Sequence, residues 1–362
     1  MKIETAYEFV RFSIRDDFQF GSFDDLDWEL LYSFGIKHTI LGVLFSGVEK
    51  LPKSKLPPKQ LLMKWFMQVE LIKKRNEKLN EAVVDISKQF SLQGMPCCIL
   101  KGQGNAIMYP CPALRMPGDI DLWSLASRKR LFEYVRKDFP DTEMLYHHLE
   151  YPIFKDIMVE VHFFPMFLNN PIYNRRFQKW LDVVCPEQME NWVQIPQGSF
   201  CHPTDSFNVI YQLAHIRHHF FDEGIGLRQL MDYYFLIRNQ ELADKKNELQ
   251  ELLRRFGLLG FAKAVMYVMH EVFNLEKQYW LVPVDKIVGE MLLEEILMTG
   301  NFGHMDSRFG DLKKVSRFHR LSMLLKKNIR FMWYFPDEVF FSFLFRLGQP
   351  VWRVWANYKY TR

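Results

Sequence analysis

In Gly118-Asp119-Ile120-Asp121-Leu122-Trp123, two carboxylates stand two residues apart, with apolar residues between and after them. That spacing predicts a short strand, because side chains at i and i+2 of a strand share a face. Asp119 and Asp121 would then stand side by side, with Ile120 and Leu122 turned into a core. Two anions held that close repel each other. A hard divalent cation such as Mg2+, which prefers oxygen ligands, would relieve them. The same spacing recurs at Asp25-Leu26-Asp27, but there it precedes an apolar helical pattern, where acids suit a helix N-terminus. That second pair reads as structural.

The company of Asp119 and Asp121 sharpens the reading. Upstream, Met95-Pro96-Cys97-Cys98-Ile99-Leu100 reads as a buried strand that ends in Lys101-Gly102-Gln103-Gly104. Gly102 and Gly104 would let backbone amides approach a phosphate closely, and Lys101 adds charge. Arg115 supplies another cation four residues before Asp119. Downstream, 144–154 and 157–163 alternate like two strands around a Lys155-Asp156 turn. On the second, Met158, Glu160 and His162 share one face and Ile157, Val159 and Val161 the other. A glutamate on so apolar a strand needs a partner. That partner is either an Arg or Lys of a neighbouring strand or a metal shared with Asp119 and Asp121.

These residues resemble a known family. Leu100-Lys101-Gly102, Tyr109-Pro110, Arg115, Gly118-Asp119-Ile120-Asp121-Leu122 and Val159-Glu160-Val161-His162 are similar to the uncharacterised nucleotidyltransferase-like family of the polymerase-β superfamily. The resemblance extends to the helical stretch Leu213 to Asp232. It implies an α+β fold, with a small mixed-sheet nucleotidyltransferase domain flanked by N-terminal and C-terminal helical regions. It also implies transfer of a nucleoside monophosphate from an NTP to an acceptor hydroxyl by a two-metal mechanism. Asp119, Asp121 and Glu160 would bind two Mg2+ ions, with Mn2+ as a substitute. Lys101, the Gly102–Gly104 turn and Arg115 would neutralise phosphate charge. The competing reading is a non-catalytic nucleotide-binding or regulatory module on the same fold. Its support is Gln103 where the superfamily usually has serine, and Glu160 where aspartate is commoner.

A second wall is expected from 204–239. Pro203-Thr204-Asp205 begins a helix through Phe221, with Thr204 as N-cap. Gly224-Ile225-Gly226 breaks the chain, and a further helix follows from Leu227. His215 and His219 share a face at i, i+4 without the glutamate or third ligand of a zinc site. Arg228 and Asp232 are also i, i+4 and can pair. His162, His215, Arg228 and Asp232 are candidate substrate-pocket residues; the alternative is that His215 bonds Asp232 and braces two helices. His162 would orient an acceptor or act as a base, or else is a satisfied half-buried histidine.

The remaining sequence bounds the class. A chain of 362 residues is long enough for two or three domains. The boundaries read as a helical region over 1–94, an α/β domain over 95–200 and a helical domain over 201–362. A net charge of +4 gives nucleic acid no support as a partner. Five cysteines, two of them in an apolar strand, point to reduced thiols and a cytoplasmic setting. No apolar leader and no run of 18 apolar residues is present, so no membrane span is expected. Gln60 to Phe90 has the spacing of one long amphipathic helix, and His38 within the 28–48 helical pattern reads as structural. Residues 165–198, with Pro171, Pro186 and Pro196, read as irregular. The tail from Asp311 interleaves basic residues with aromatics. It reads as a basic outer face on an aromatic-cored helix, with a membrane or nucleic-acid surface as the other reading. The acceptor and the oligomeric state are not legible.

Overall fold

A computed structural model describes residues 1–21, 26–301 and 325–361. Four short strands form one mixed sheet: β1 (Cys97–Leu100), β2 (Ile120–Ser124), β3 (His148–Glu150) and β4 (Val159–His162), in the order β1-β2-β4-β3. β2 is antiparallel to β1 and parallel to β4, and β3 is antiparallel to β4. A separate hairpin pairs β5 (Trp192–Ile195) with β6 (Gly198–Cys201). The fold is α+β, as the resemblance implied.

The period-2 alternation of the strands divides the molecule into two apolar cores. Ile99, Ile120, Leu122, Val159 and Val161 face a core shared with α6 (Arg128–Asp138) and with the second half of α4 (Lys59–Leu92). Leu100 and Trp123 face the larger core on the other side. There Trp123 stacks on Phe207, with ring centroids 5.6 Å apart. That core gathers α1 (Ile3–Ile14), α2 (Trp28–Lys37), α3 (Leu41–Glu49), the first half of α4, α8 (Asp205–Asp222), α9 (Leu227–Ile237), α10 (Lys246–Arg255), α11 (Leu259–Phe273) and α12 (Lys286–Thr299). Helix α1 packs on α11, so early and late segments of the chain share one interior.

Several elements differ from the sequence reading. Helix α1 was not anticipated. Residues 28–48 form two helices, because Thr39 takes φ 55° and turns the chain between α2 and α3. Asp27 caps α2 by accepting from the Leu30 N–H at 3.0 Å, while Asp25 lies outside the described residues. Residues 171–188, read as irregular, form the 18-residue helix α7 (Pro171–Gln188). Asn170 caps it and Pro171 sits in its first turn, where a missing N–H costs nothing; Pro186 falls in its last turn. Thr204 holds the N-cap position of α8, but its hydroxyl bonds Gln188 Oε1 instead of a helix N–H. The 144–163 hairpin forms with shorter strands than expected.

The last helix, α13 (Pro336–Thr361), straps both cores. Val339 lies in the larger core and Ala356 in the smaller. Between them Arg346 pairs with Asp222, and Phe345 and Trp352 pack edge-on against Tyr146. Phe340, Leu344, Leu347, Val351 and Val354 are exposed, so the helix is not simply a basic face over an aromatic core. The basic stretch 311–324 lies outside the described residues. Among the described residues no helix is long and apolar enough to cross a membrane.

Candidate active site

Strand register builds the site. Pairing of β2 with β4 sets Asp121 opposite Glu160 and Trp123 opposite His162. Side chains of Asp121, Glu160 and His162 therefore emerge on the face turned toward α8 and α9. One ligand atom from each falls in a group whose members lie within 4.8 Å of one another. His162 Nε2 is 3.0 Å from Asp121 Oδ1 and 3.3 Å from Glu160 Oε2. Asp119, one residue before β2, stays open to solvent and lines the same cleft, a cavity of about 450 Å³.

Lys101 follows β1 with φ 49° and ψ −141°, a backbone conformation that a side chain makes costly by about 1–3 kcal/mol. Gly102 continues the turn at φ 45° and abuts the Asp119 carbonyl. The turn delivers the Lys101 Nζ to 3.0 Å from Asp121 Oδ2 and 2.8 Å from His215 Nε2.

The electrostatics are those of a tightly packed ionic cluster. Burial would lower the Lys101 pKa, but Asp121 raises it, so the ammonium is held. Burial opposes charge on Asp121, yet Lys101 and the His162 hydrogen bond hold its carboxyl below the usual carboxylate range. Burial likewise opposes Glu160 ionisation and the His162 hydrogen bond overcomes it. His162, which burial alone would lower, is raised to about 9 by its bonds to Asp121 and Glu160. The Asp121 carboxylate, foremost, raises the Asp119 pKa. His215 is pushed down by burial and by Lys101, so its neutral ring accepts from the ammonium.

Not every expected contact is made. Arg115 does not face the cleft as a free cation: its Nε and Nη2 donate to Asp232 Oδ1 and Oδ2 at 2.8 and 2.7 Å, deep in the interior. Tyr109 donates to the same carboxylate at 2.6 Å. Asp232 is therefore bonded to Arg115 and not to Arg228 or His215. The i, i+4 pairing fails because Arg115, brought in by the loop before β2, reaches Asp232 with the Nε/Nη2 edge of its guanidinium. Arg228 lines the cleft beside Gly118, donating to the Met116 and Pro117 carbonyls, with its Nε buried and unpartnered among the described residues. Gly104 does not line the cleft. A Cβ there would fall 1.9 Å from His202 Nδ1, so the histidine ring explains the glycine. Gln103 turns the other way, onto Asn80 of α4. Glu160 finds histidine partners, His162 and His148 (3.6 Å), and no arginine or lysine among the described residues.

Three contributors were missed in the sequence. Asn105 accepts from Asn208 and Gln212 and donates to Asp232, tying α5 (Gly102–Ala106) to α8 and α9. His147 and His148 also line the cleft, which gathers six of the chain's eleven histidines and is therefore rich in imidazole. His148 emerges only from the register, which sets it on the edge strand opposite His162.

The model of the uncharacterised nucleotidyltransferase family matches residues 24–274. The chain belongs to that family. The match spans β1, β2 and β4 with the helices α8 and α9 that face them, so every residue of the cleft described above except Gln349 falls inside the family's extent. Among solved structures, this nucleotidyltransferase-family chain is similar to the crystal structure of an antigenic nucleotidyltransferase-like protein from Paracoccidioides brasiliensis. The two share 12% identity with a TM-score of 0.35, over 59% of this chain and 97% of that one. A search of curated proteins found no match.

Proposed function

We propose that this protein transfers a nucleoside monophosphate from an NTP to an acceptor hydroxyl, with release of pyrophosphate, in the cleft between β2–β4 and α8–α9. The observation that carries the reading is the convergence of Asp121, Glu160 and His162 within 4.8 Å at the floor of a cleft that Asp119 also lines. The paired carboxylates are an oxygen donor set for a hard divalent ion, and the imidazole bonded to both of them is their spacer. Asp119, Asp121 and Glu160 would hold Mg2+, or Mn2+ in its place. When bound, such ions supply Lewis-acid stabilisation of the attacking and leaving oxygens.

The chain's own residues supply the rest. Lys101 would neutralise phosphate charge, aimed by His215 and released from part of its duty to Asp121 when a metal shares that carboxylate. Arg228 would contribute the second cation, since its bonds go to backbone carbonyls and it makes no salt bridge among the described residues. Arg115 takes a different part from the one its position suggested: it holds α9 against the β1–β2 connection through Asp232. His162 would keep the two carboxylates at a fixed spacing.

The test is pyrophosphate release and product labelling with α-labelled ATP, CTP, GTP and UTP, with Mg2+ or Mn2+ and a cell extract as acceptor source. Asp121→Asn and Glu160→Gln should each lower turnover by roughly 10²–10³-fold or more, as expected for losing a preorganised electrostatic group. Nucleotide binding with no pyrophosphate release under any of these conditions would favour the non-catalytic module.

A further inference from the structure

His147 and His148 enter the cleft from the edge strand, where β3 pairs with β4 so that His148 stands opposite His162. One ring nitrogen from each of His147, His148 and His162 lies within 4.8 Å of the others. The ring centroids are 4.5 Å apart for His147 and His148, 5.2 Å for His147 and His162 and 5.3 Å for His148 and His162. His148 Nδ1 sits 3.2 Å from His147 Nε2. The decisive atom is on His162. Its Nε2 is taken by Asp121 and Glu160, while its Nδ1, on the other side of the ring, is buried with no hydrogen-bond partner among the described residues.

We propose that His147, His148 and His162 form a second metal site, for a borderline divalent transition ion of the Zn2+ or Co2+ class, joined to the carboxylate site through the two nitrogens of His162. Imidazole suits ions of this class, whereas Mg2+ takes oxygen ligands. Nitrogens around a tetrahedral zinc lie about 3.3 Å from one another, from the usual Zn–N bond length, and the His147–His148 contact is already at 3.2 Å. Drawing all three nitrogens onto one ion needs only side-chain adjustment. Phe167, with its centroid 5.4 Å from that of His147, walls the group on its apolar side. Glu160 Oε1, 3.6 Å from His148 Nε2, is placed either to complete the ligand set or to fix the His148 ring from behind.

Occupation would have a consequence next door. With Nδ1 on the ion, the remaining ring proton of His162 resides on Nε2 and points at Asp121 and Glu160. The imidazole site then sets the hydrogen bond that spaces the catalytic carboxylates. The site itself does not depend on the nucleotidyl-transfer reading; only this effect on turnover does.

Co2+ titration of the metal-free, full-length protein tests the proposal through visible d–d absorption. With millimolar Mg2+ present to fill the carboxylate site, the expected result is one equivalent of Co2+ with the intense spectrum of a four-coordinate, nitrogen-rich site. His147→Gln and His148→Gln should each weaken binding more than the ~100-fold that loss of an outer-shell partner can reach. Melting temperature monitors the fold of each variant. Hyperfine-shifted imidazole signals of the Co2+-loaded wild type read the ligands with no substitution at all, and three histidine rings are expected. With Mg2+ present, a six-coordinate oxygen-type spectrum or loss of all bound Co2+ would overturn the proposal, as would unchanged affinity in both variants or fewer than three shifted rings.

Discussion

Arg115 and Asp232 meet edge to edge, with two parallel hydrogen bonds of 2.8 and 2.7 Å, both side chains more than nine-tenths buried. Breaking a buried pair from one side strands the other charge, at a cost of about 3–5 kcal/mol. Asp232→Ala should lower the urea midpoint accordingly with little change in slope. An unmoved midpoint with a raised KM for nucleotide would instead make Asp232 a substrate contact.

Gly104 is explained by the ring of His202, which a Cβ would meet at 1.9 Å. Gly104→Ala should destabilise by about 1–3 kcal/mol, as over-packing generally does, despite alanine's better helix propensity. Nucleotide affinity of the folded protein should stay as it was. A loss of affinity at wild-type stability would return Gly104 to the phosphate-binding role its sequence position suggested.

His215 accepts from the Lys101 ammonium and makes no bond to Asp232. His215→Ala should therefore leave the melting temperature within a few degrees of wild type and raise the NTP concentration needed for half-maximal turnover by roughly tenfold, about one ordinary hydrogen bond to a charged group. A large drop in melting temperature with normal turnover in the folded fraction would point to a helix brace.

Buried neutral histidines make stability fall with acid. His202 is pushed down to about 4 by burial, its Nδ1 donating to the Ile99 carbonyl at 2.9 Å. In the unfolded chain a histidine takes up its proton near pH 6.5. From about pH 6.5 down to about 4 the unfolded state binds the extra proton and the folded state does not, so stability decreases as pH is lowered and the His202 contribution levels off below that window. Its share is ~3 kcal/mol over the window. Urea titrations at pH 7.5 and 4.5 should show His202→Asn losing less stability between the two pH values than wild type does; equal losses would rule the histidine out.

What could be read from sequence was what local periodicity controls. The Asp119/Asp121 strand, the long α4 and the 3.6-residue pattern of α8 and α9 follow from short-range alternation, and the structure has them at nearly the expected residues. Helix α7 was hidden because its prolines look like breakers unless one knows that Pro171 occupies a first turn. The partner of Arg115 was hidden for a different reason. Sequence offers Asp232 a neighbour at i−4, but only tertiary approach of the β1–β2 connection decides that Arg115 arrives first. His147 and His148 carry no periodic signal of their own; they become legible only once β3 is registered against β4.

Helix α4 has 34 residues, a rod about 50 Å long at the usual rise. Leu61, Trp65 and Val69 root one end in the larger core; Leu79, Val83, Ile86 and Phe90 root the other in the smaller. Midway, Asn76 holds the Ala113 and Arg115 carbonyls. Such a strut is rooted in both cores, so parting them like jaws would require bending it. Ligand arrival should tighten side chains and loop ends without altering the molecule's radius of gyration, and solution scattering with and without nucleotide should superimpose. For a protein of this build, selectivity would be written in the fixed shape of the cleft and not in a closing motion.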